Sequence, residues 1–197
     1  MPSAAILAGG RASRFGGRDK GALAVGGRSI RERQIAELAR ISDDILIVGG
    51  VPGARHGGMA REVADRVEGA GPLGGLDAAL AAAHHERLVL LACDMPFVTA
   101  ELLAHLLTLA AEADAVVPRT ERGYHPLCAA YTRACQPAVV RRLADRHLAL
   151  VGLFEDVRVR VVPCEELKAF GDPNRLFANV NTLADYDALE AFLNHKP

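Results

Sequence analysis

The sequence has no excess of charge of either sign. Its 23 Lys and Arg residues are balanced by 24 Asp and Glu residues, which leaves a formal net charge of -1 over 197 residues. Proteins that bind DNA or RNA usually carry a strong basic excess, because each contacted phosphate needs a positive partner. A nucleic acid is therefore not expected as the main partner. A small acidic ligand stays open, because it needs only a local cluster of basic groups.

Long apolar runs and cysteine motifs are also missing. No run is long enough to cross a bilayer, and residues 1–7 lack the basic stretch followed by an apolar one that marks a signal peptide. We therefore expect a cytoplasmic protein that has no membrane partner. The four cysteines form no CxxC pair and no zinc-ligand spacing, so we expect them to be small apolar residues of the interior. They are Cys93, Cys128, Cys135 and Cys164.

What the sequence does contain is an alternation of short apolar runs and longer amphipathic ones, which is typical of a parallel sheet covered by helices. We predict strands at 4–8, 44–48, 88–93, 115–117, 127–131 and 158–162, the fifth of them antiparallel to its neighbours. Helices are predicted at 29–40, 76–85, 100–111, 132–145, 148–154 and 183–193. Internal repeats, low-complexity tracts and linkers are absent from the sequence, so residues 1–197 are predicted to form a single α/β domain.

A glycine-rich, basic segment follows the first predicted strand. Residues 9–21 read GGRASRFGGRDKG, with five glycines and the four cations Arg11, Arg14, Arg18 and Lys20. Glycines allow backbone N–H groups to approach a ligand closely, and the cations compensate charge, so the segment suits a polyphosphate. It is neither a GxxxxGK[ST] P-loop nor a GxGxxG dinucleotide motif. A basic loop that only connects a strand to a helix remains the alternative.

Asp94 follows the most apolar predicted strand, at 88–93. Open α/β sheets place functional groups at the carboxyl ends of their strands. A carboxylate beside a phosphate-binding loop suits Mg²⁺, which prefers a few carboxylates, retained waters and phosphate oxygens. The alternative is an Asp that only begins a turn before Pro96.

Several motifs in order resemble a known enzyme family. Residues 7–21 fit the pattern LAGGxxxRxGGxDKG, which is similar to the signature of nucleotidyltransferases that activate sugars and pterins, and in particular of the molybdenum cofactor guanylyltransferases. The similarity continues through GPLGG at 71–75, CDMP at 93–96, HPL at 125–127 and NVNT at 179–182. Several motifs in the same order are more specific than one loop.

The resemblance implies a single-domain, three-layer Rossmann-like nucleotidyltransferase fold with a mostly parallel sheet, one antiparallel strand and helices on both faces. The N-terminal part would bind GTP and the C-terminal part would bind molybdopterin, with Mg²⁺ as the cofactor. It implies nucleotide-binding roles for Leu7, Ala8, Gly9, Gly10, Lys20, Asp65, Gly71, Gly75 and Asp94. It implies catalytic roles for Arg14, Lys20 and Asp94, a metal-binding role for Asp94, and acceptor-binding roles for Asn179, Asn181 and Arg146.

Other roles and activities remain open at this point. The residues alone also allow turn-forming roles for Asp65, a helix-entry turn at 71–75 and a turn at 179–181, and a direct catalytic role of His125 is not favoured. Val48 stands where the related proteins have an asparagine that contacts guanine, so we expect backbone groups of Gly49 and Gly50 to bind the base instead.

Three alternative functions remain: a CTP-dependent molybdopterin cytidylyltransferase, a sugar-phosphate nucleotidyltransferase, and a nucleotide-binding module without turnover. Leu183 replaces the proline that usually follows the NVNT motif, which changes the helix entry but removes no functional group. The family also implies transient contact with other molybdenum cofactor biosynthesis proteins or molybdoenzyme chaperones.

Overall fold

The computed structural model describes residues 1–8, 14–15, 18–19, 21, 23–25, 27–49, 55–56 and 58–180. Its strands are β1 (Ser3–Leu7), β2 (Arg14–Phe15), β3 (Arg18–Asp19), β4 (Ala24–Val25), β5 (Arg28–Ser29), β6 (Asp44–Val48), β7 (Arg55–His56), β8 (Ala60–Val63), β9 (Arg87–Ala92), β10 (Ala115–Thr120), β11 (Gly123–Tyr124), β12 (Cys128–Thr132) and β13 (Val159–Val162). Its α-helices are α1 (Ile30–Leu38), α2 (Gly71–Ala82), α3 (Ala100–Leu109), α4 (Gln136–Ala144), α5 (Cys164–Leu167) and α6 (Pro173–Leu176). Short 3₁₀ segments lie at Arg133–Cys135, Leu150–Glu155 and Lys168–Phe170.

The main sheet places β1 at its centre. The strand order is β11-β10-β12-β9-β1-β6-β8-β7, and β13 pairs with β10. β1 is parallel to β6 and to β9, and β6 is parallel to β8. β12 runs antiparallel to both β9 and β10, which confirms the predicted antiparallel strand. The carboxyl ends of β1, β6, β8 and β9 therefore lie at one edge of the sheet.

Helices cover both faces of this sheet, because alternate strand residues point to opposite sides. Ala4 and Ile6 belong to the core cluster beneath α1 and α3, whereas Ala5 belongs to the cluster beneath α2 and α4. The result is the predicted three-layer α/β arrangement. Within the described part of the chain, the helices are too short or too polar to span a membrane.

Local sequence signals explain where α1 and α3 begin. Ser29 caps α1, accepting a hydrogen bond from the Glu32 N–H, while the Glu32 carboxylate accepts one from the Ser29 N–H. This capping box satisfies two donors that the first helical turn leaves unpaired. Thr99 caps α3, because its hydroxyl accepts a hydrogen bond from the Leu102 N–H.

The structure corrects several predicted boundaries. α2 begins at Gly71, five residues before the predicted start at 76, so the GPLGG segment forms the first turns of a helix. Pro72 is compatible with that position, because the first helical residues need no N–H partner within the helix. The predicted helices at 132–145 and 148–154 both begin as 3₁₀ structure, and the second stays 3₁₀ throughout. β8 was not predicted, and the predicted helix at 183–193 lies outside the described residues.

Candidate active site

Four parallel strands end side by side at the candidate site. In the sheet register Leu7 pairs with both Val48 and Ala92, and Val48 pairs with Val63. Asp94 and Asp65 each lie two residues beyond a strand end in this row. Three inter-strand spacings of about 4.8 Å separate β9 from β8, roughly 14 Å in all. The edge is therefore wide enough for an extended ligand, with one acid near each end of the row.

The turn that carries Asp94 is held from several directions. The Cys93 N–H donates to the Leu7 carbonyl over 3.3 Å, and the Val180 N–H donates to the Asp94 carbonyl over 2.9 Å. The side-chain amide of Gln34 donates to the carbonyls of Ala92 and Met95, over 2.7 and 3.1 Å. Asp94 itself is half-buried. Its position is therefore fixed by β1, by α1 and by the segment that carries Asn179.

Asp94 is the predicted metal ligand at this edge of the sheet. In the described ranges, no three His, Cys, Asp or Glu side chains form a group that could hold a metal ion. The half-buried Asp94 carboxylate fits Mg²⁺, which is commonly held by one or two carboxylates together with water and substrate phosphates. The donor set therefore suits a magnesium ion that arrives with a nucleotide.

The loop that carries Asp65 is tied to α2 by the residue next to it. The Arg66 guanidinium donates to both carboxylate oxygens of Asp77, over 3.1 and 3.3 Å. Asp77 is buried on α2 and also accepts a hydrogen bond from the Gln136 amide at 2.5 Å. Asp65 is exposed, and partial desolvation by neighbouring protein atoms raises the pKa of its carboxyl.

The first turns of α2 pack directly against β1. Gly71 is exposed and has a φ of 60°, in the left-handed region that favours glycine. A Cβ atom on Gly75 would lie 2.8 Å from Cδ2 of Leu7, so these two predicted nucleotide-binding residues touch. Gly75 thus has a packing reason to be glycine, besides any approach to a ligand.

At the end of β6, the Val48 side chain and the Gly49 N–H are both engaged within the protein and are not available to bind a base. The Val48 side chain is buried in the core cluster beneath α2. The Gly49 N–H donates to the Val63 carbonyl over 3.0 Å, so this backbone donor is already used by the sheet. The sequence predicts base recognition by backbone groups of Gly49 and Gly50. Gly50 lies outside the described residues, so within the described part of the chain the Gly49 carbonyl is the group still available for a base.

The HPL motif contacts the segment that leads to Asn179. The His125 ring stacks on Phe177 with a centroid distance of 4.1 Å and an angle of 20°. Its Nε2 atom lies 2.8 Å from the Thr120 hydroxyl. Burial, and to a lesser degree Arg122, lowers the pKa of His125 and so favours the neutral ring. His125 thereby connects the β11–β12 loop to the segment that leads to Asn179.

The predicted acceptor residues are only partly brought together. Asn179 is exposed and directly precedes Val180, which binds the Asp94 carbonyl. Arg146 is exposed on the turn after α4, on the face of the sheet that α2 covers, and has a φ of 59°. As far as the chain is described, no hydrogen bond or ion pair joins it to another predicted site residue.

Several predicted site residues cannot be placed. Gly9, Gly10, Lys20 and Asn181 lie outside the described residues. Arg14 belongs to β2, where its backbone pairs with Asp19 of β3.

Sequence reasoning also missed residues that support the site, chiefly Gln34, Asp77 and Phe177. A signal existed for the first two, because each is a polar residue within an otherwise apolar helix face. Such a residue is retained when its polar atoms have buried partners.

Comparisons with known proteins agree with this architecture. The sequence profile of the MobA-like NTP transferase domain matches residues 4–160. A probable molybdenum cofactor guanylyltransferase of Pelotomaculum thermopropionicum is 36% identical over 182 residues, covering 91% of this chain and 87% of that protein. A molybdenum cofactor guanylyltransferase of Desulfosudis oleivorans is 32% identical over 188 residues, covering 94% and 93%.

Solved structures share the fold. The crystal structure of molybdopterin-guanine dinucleotide biosynthesis protein A from Archaeoglobus fulgidus superposes with a TM-score of 0.80 at 25% identity, covering 98% of this chain and all (100%) of that one. The 4-diphosphocytidyl-2C-methyl-D-erythritol synthase of Anaerococcus prevotii superposes with a TM-score of 0.71 at 18% identity, covering 99% of each chain. The second likeness concerns the fold alone. Together they confirm the predicted Rossmann-like nucleotidyltransferase fold.

Proposed function

Since the chain belongs to the family of MobA-like NTP transferase domains, we propose that it transfers GMP from GTP to the terminal phosphate of the molybdenum-molybdopterin cofactor. The products are molybdopterin guanine dinucleotide and pyrophosphate. The choice of GTP and molybdopterin rests on the guanylyltransferases described above. Their sequences align with nearly the whole of this chain.

The observation that carries the proposal is the hydrogen-bonded turn around Asp94. The turn is hydrogen-bonded both to the end of β1, where the glycine-rich segment starts, and to the segment that bears Asn179, and its Asp94 is half-buried. A group that joins a nucleotide to an acceptor must stand between their binding sites. The contacts of the Asp94 turn with both segments support that role.

The reaction forms a bond between an oxygen of the acceptor phosphate and the α-phosphorus of GTP. The bond from the α-phosphorus to the bridging oxygen breaks, and pyrophosphate leaves with that electron pair. The attacking oxygen is already anionic, so no strong general base is needed. Catalysis then consists of positioning and of neutralising the charge that develops on the leaving group.

We assign this neutralisation to Arg14 and Lys20. Asp94 would hold Mg²⁺, which when bound supplies positive charge to the phosphate oxygens.

The remaining predicted residues divide between the two substrates. We propose that Leu7, Ala8, Gly9 and Gly10 at the end of β1 bind the nucleotide, together with Asp65, Gly71 and Gly75. We assign the acceptor to Asn179, Asn181 and Arg146. A labile pterin product would be passed directly to another molybdenum cofactor protein or a molybdoenzyme chaperone, which makes transient protein contacts part of the proposal.

The substrate assignment is tested by pyrophosphate release in the presence of Mg²⁺, with GTP, CTP, ATP or UTP, and with or without molybdopterin. We expect release with GTP only when molybdopterin is present. A preference for CTP would keep the reaction and change the nucleotide. Release with a sugar phosphate instead of molybdopterin would contradict the acceptor, and binding without any release would indicate a non-catalytic module.

The role of Asp94 is tested by Asp94→Ala. We expect turnover to fall by at least about 10²–10³-fold, the scale seen when one group that stabilises transition-state charge is removed. The thermal unfolding midpoint should stay near that of the wild type. Asp43→Ala is the matched control, because Asp43 is exposed at the opposite end of the strands, where its carboxylate pairs with His85. Turnover by Asp94→Ala at the wild-type rate would refute the assignment.

A further inference from the structure

Gln34 is a polar residue on the buried face of α1. It lies among Ile30, Ile35 and Leu38, which pack against the sheet, and it is only 3% exposed. An apolar residue would fit the helical pattern of this face. The retention of an amide here therefore calls for a specific partner.

That partner is the backbone of the turn around Asp94. The Gln34 Nε2 atom lies 2.7 Å from the Ala92 carbonyl oxygen and 3.1 Å from that of Met95. Both neighbours are acceptors, so only the NH₂ group of the amide can face them, and this fixes the orientation of the side chain. The two carbonyls flank Cys93 and Asp94, so a single side chain spans the turn.

The carbonyl oxygen of the Gln34 amide indicates that the contact between Gln34 and the turn does not serve stability alone. The Gln34 Oε1 atom is buried and has no hydrogen-bond partner within the described residues. A buried acceptor without a partner opposes folding, and helix faces chosen for stability avoid it. Local rules are broken in this way mostly at functional sites.

We propose that Gln34 is a positioning residue that sets the place of the Asp94 carboxylate. This inference rests on the proposed role of Asp94. The backbone bonds from Cys93 to Leu7 and from Val180 to Asp94 hold the turn along the sheet. Gln34 connects the turn to α1 as well. The N–H of Ile30, the first residue of α1, donates to the Leu23 carbonyl just after the glycine-rich segment. The same helix therefore links the chain just after the glycine-rich segment to the turn around Asp94.

The test replaces Gln34 by methionine, which keeps the length and removes the donors. Residues that orient a metal ligand typically contribute 10–100-fold to metal affinity or activity, so we expect kcat and the affinity for Mn²⁺ in the presence of GTP each to fall by about that factor. Mn²⁺ binding is read by electron paramagnetic resonance, independently of turnover. Amide hydrogen exchange in residues 92–98 should become faster. The KM for GTP should change less than kcat.

Leu38→Met is the matched control, because it introduces the same side chain one turn further along the same buried face. We expect it to keep wild-type kcat, Mn²⁺ binding and hydrogen exchange. Wild-type Mn²⁺ binding by Gln34→Met, or equal losses in both variants, would overturn the proposal. If Gln34→Met does not fold, Gln34→Asn, which keeps the amide but is too short to reach both carbonyls, should show the same losses.

The proposed function and this inference fail differently. A wild-type protein without turnover, or an Asp94→Ala variant with full turnover, would refute the proposed function. If the proposed function fails, hydrogen exchange in residues 92–98, compared between Gln34→Met and Leu38→Met, still decides whether Gln34 holds the turn; Mn²⁺ binding then decides whether that turn positions a metal ligand.

Discussion

At the scale of the single residue, Asp44 shows how the edge opposite the candidate site is fixed. Its buried carboxylate accepts hydrogen bonds from the Ser3 hydroxyl at 2.6 Å and from the His84 N–H at 2.8 Å. The Arg61 guanidinium donates two more, at 3.0 and 3.1 Å. Burial alone would raise the pKa of Asp44, but these hydrogen bonds outweigh it and hold the pKa below its usual value. Asp44 thus joins β1, β6, β8 and the end of α2.

The prediction for this residue concerns the free energy of unfolding and its pH dependence. A lowered pKa in the folded state means that the ionised form contributes stability above the unfolded pKa of about 3.9, and that this contribution disappears as the pH falls through the folded pKa. We expect Asp44→Asn to lose about 2–3 kcal/mol at pH 7, since hydrogen bonds to charged groups contribute about 1.5–3 kcal/mol. Its loss relative to the wild type should shrink below about pH 4.

Urea unfolding at pH 7 and at several acidic pH values measures both effects. Asp43→Asn serves as the control, because that carboxylate is exposed and its variant should stay within about 0.5 kcal/mol of the wild type. A difference between wild type and Asp44→Asn that stays constant with pH would show that the charge of Asp44 contributes nothing.

At the scale of the element, the start of α2 is set by close packing and not by a capping side chain. Ala70 precedes the helix and makes no side-chain cap. A Cβ atom on Gly74 would lie 2.7 Å from the Ala70 Cβ and 3.3 Å from the Val67 carbonyl oxygen. These atoms cannot move without shifting the backbone, so the first turns of α2 require a glycine at this position.

Gly74→Ala is therefore expected to destabilise the protein, although alanine favours a helix. Overpacking typically costs about 1–3 kcal/mol, which exceeds the gain of about 1 kcal/mol from helix propensity. Ala81→Gly tests propensity alone, since Ala81 is exposed on the same helix, and it should lose about 1 kcal/mol. Urea unfolding compares the two variants. A stabilised Gly74→Ala protein would contradict the packing argument.

The same helix shows what the sequence could and could not predict. Continuous apolar runs such as DILIV at 44–48 identified the central strands, because burial on both faces leaves little other choice of residues. The beginning of α2 was missed, because glycine and proline usually mark loops. Only the close packing of Gly74 against Ala70 and of Gly75 against Leu7 explains the two glycines here. β8 was missed because it has only four residues, two of them charged.

The candidate site was predictable to a similar extent. Asp94 was found because strand ends in α/β sheets collect functional groups. Gln34 was not found, because its partners are backbone carbonyls 58 and 61 residues away along the chain. The polar residue in the apolar face of α1 indicated that a buried partner exists. Backbone carbonyls leave no mark on the sequence, however, so the partners themselves are identified only in the fold.

At the scale of the whole molecule, the chain returns to the strand-end edge in its last described segment. Phe177 is buried in the core cluster that α3 covers and stacks on His125, and three residues later Val180 binds the Asp94 carbonyl. The β11–β12 loop and the turn around Asp94 are thereby joined through one segment that is distant from both in sequence. Under the proposed function, this segment sets the acceptor side of the site.

Phe177→Ala should impair use of the acceptor much more than binding of GTP. Removing a buried phenylalanine costs about 3–5 kcal/mol of stability, and the lost stacking releases the segment that carries Asn179. We expect the KM for molybdopterin to rise or kcat to fall by roughly 10-fold or more, because misplacement of a substrate-positioning group has effects of that size. GTP binding, measured by calorimetry, should change little.

Phe170→Ala is the matched control for that variant. The Phe170 ring contacts the ring of His105 on α3 in a tilted arrangement with a centroid distance of 4.9 Å, on the same face of the sheet, whereas Phe177 stacks on His125. It should lose stability while its KM for molybdopterin stays that of the wild type. If Phe177→Ala weakened GTP binding as much as acceptor use, the last described segment would serve both substrates, because the turn around Asp94 would then move with it as one unit.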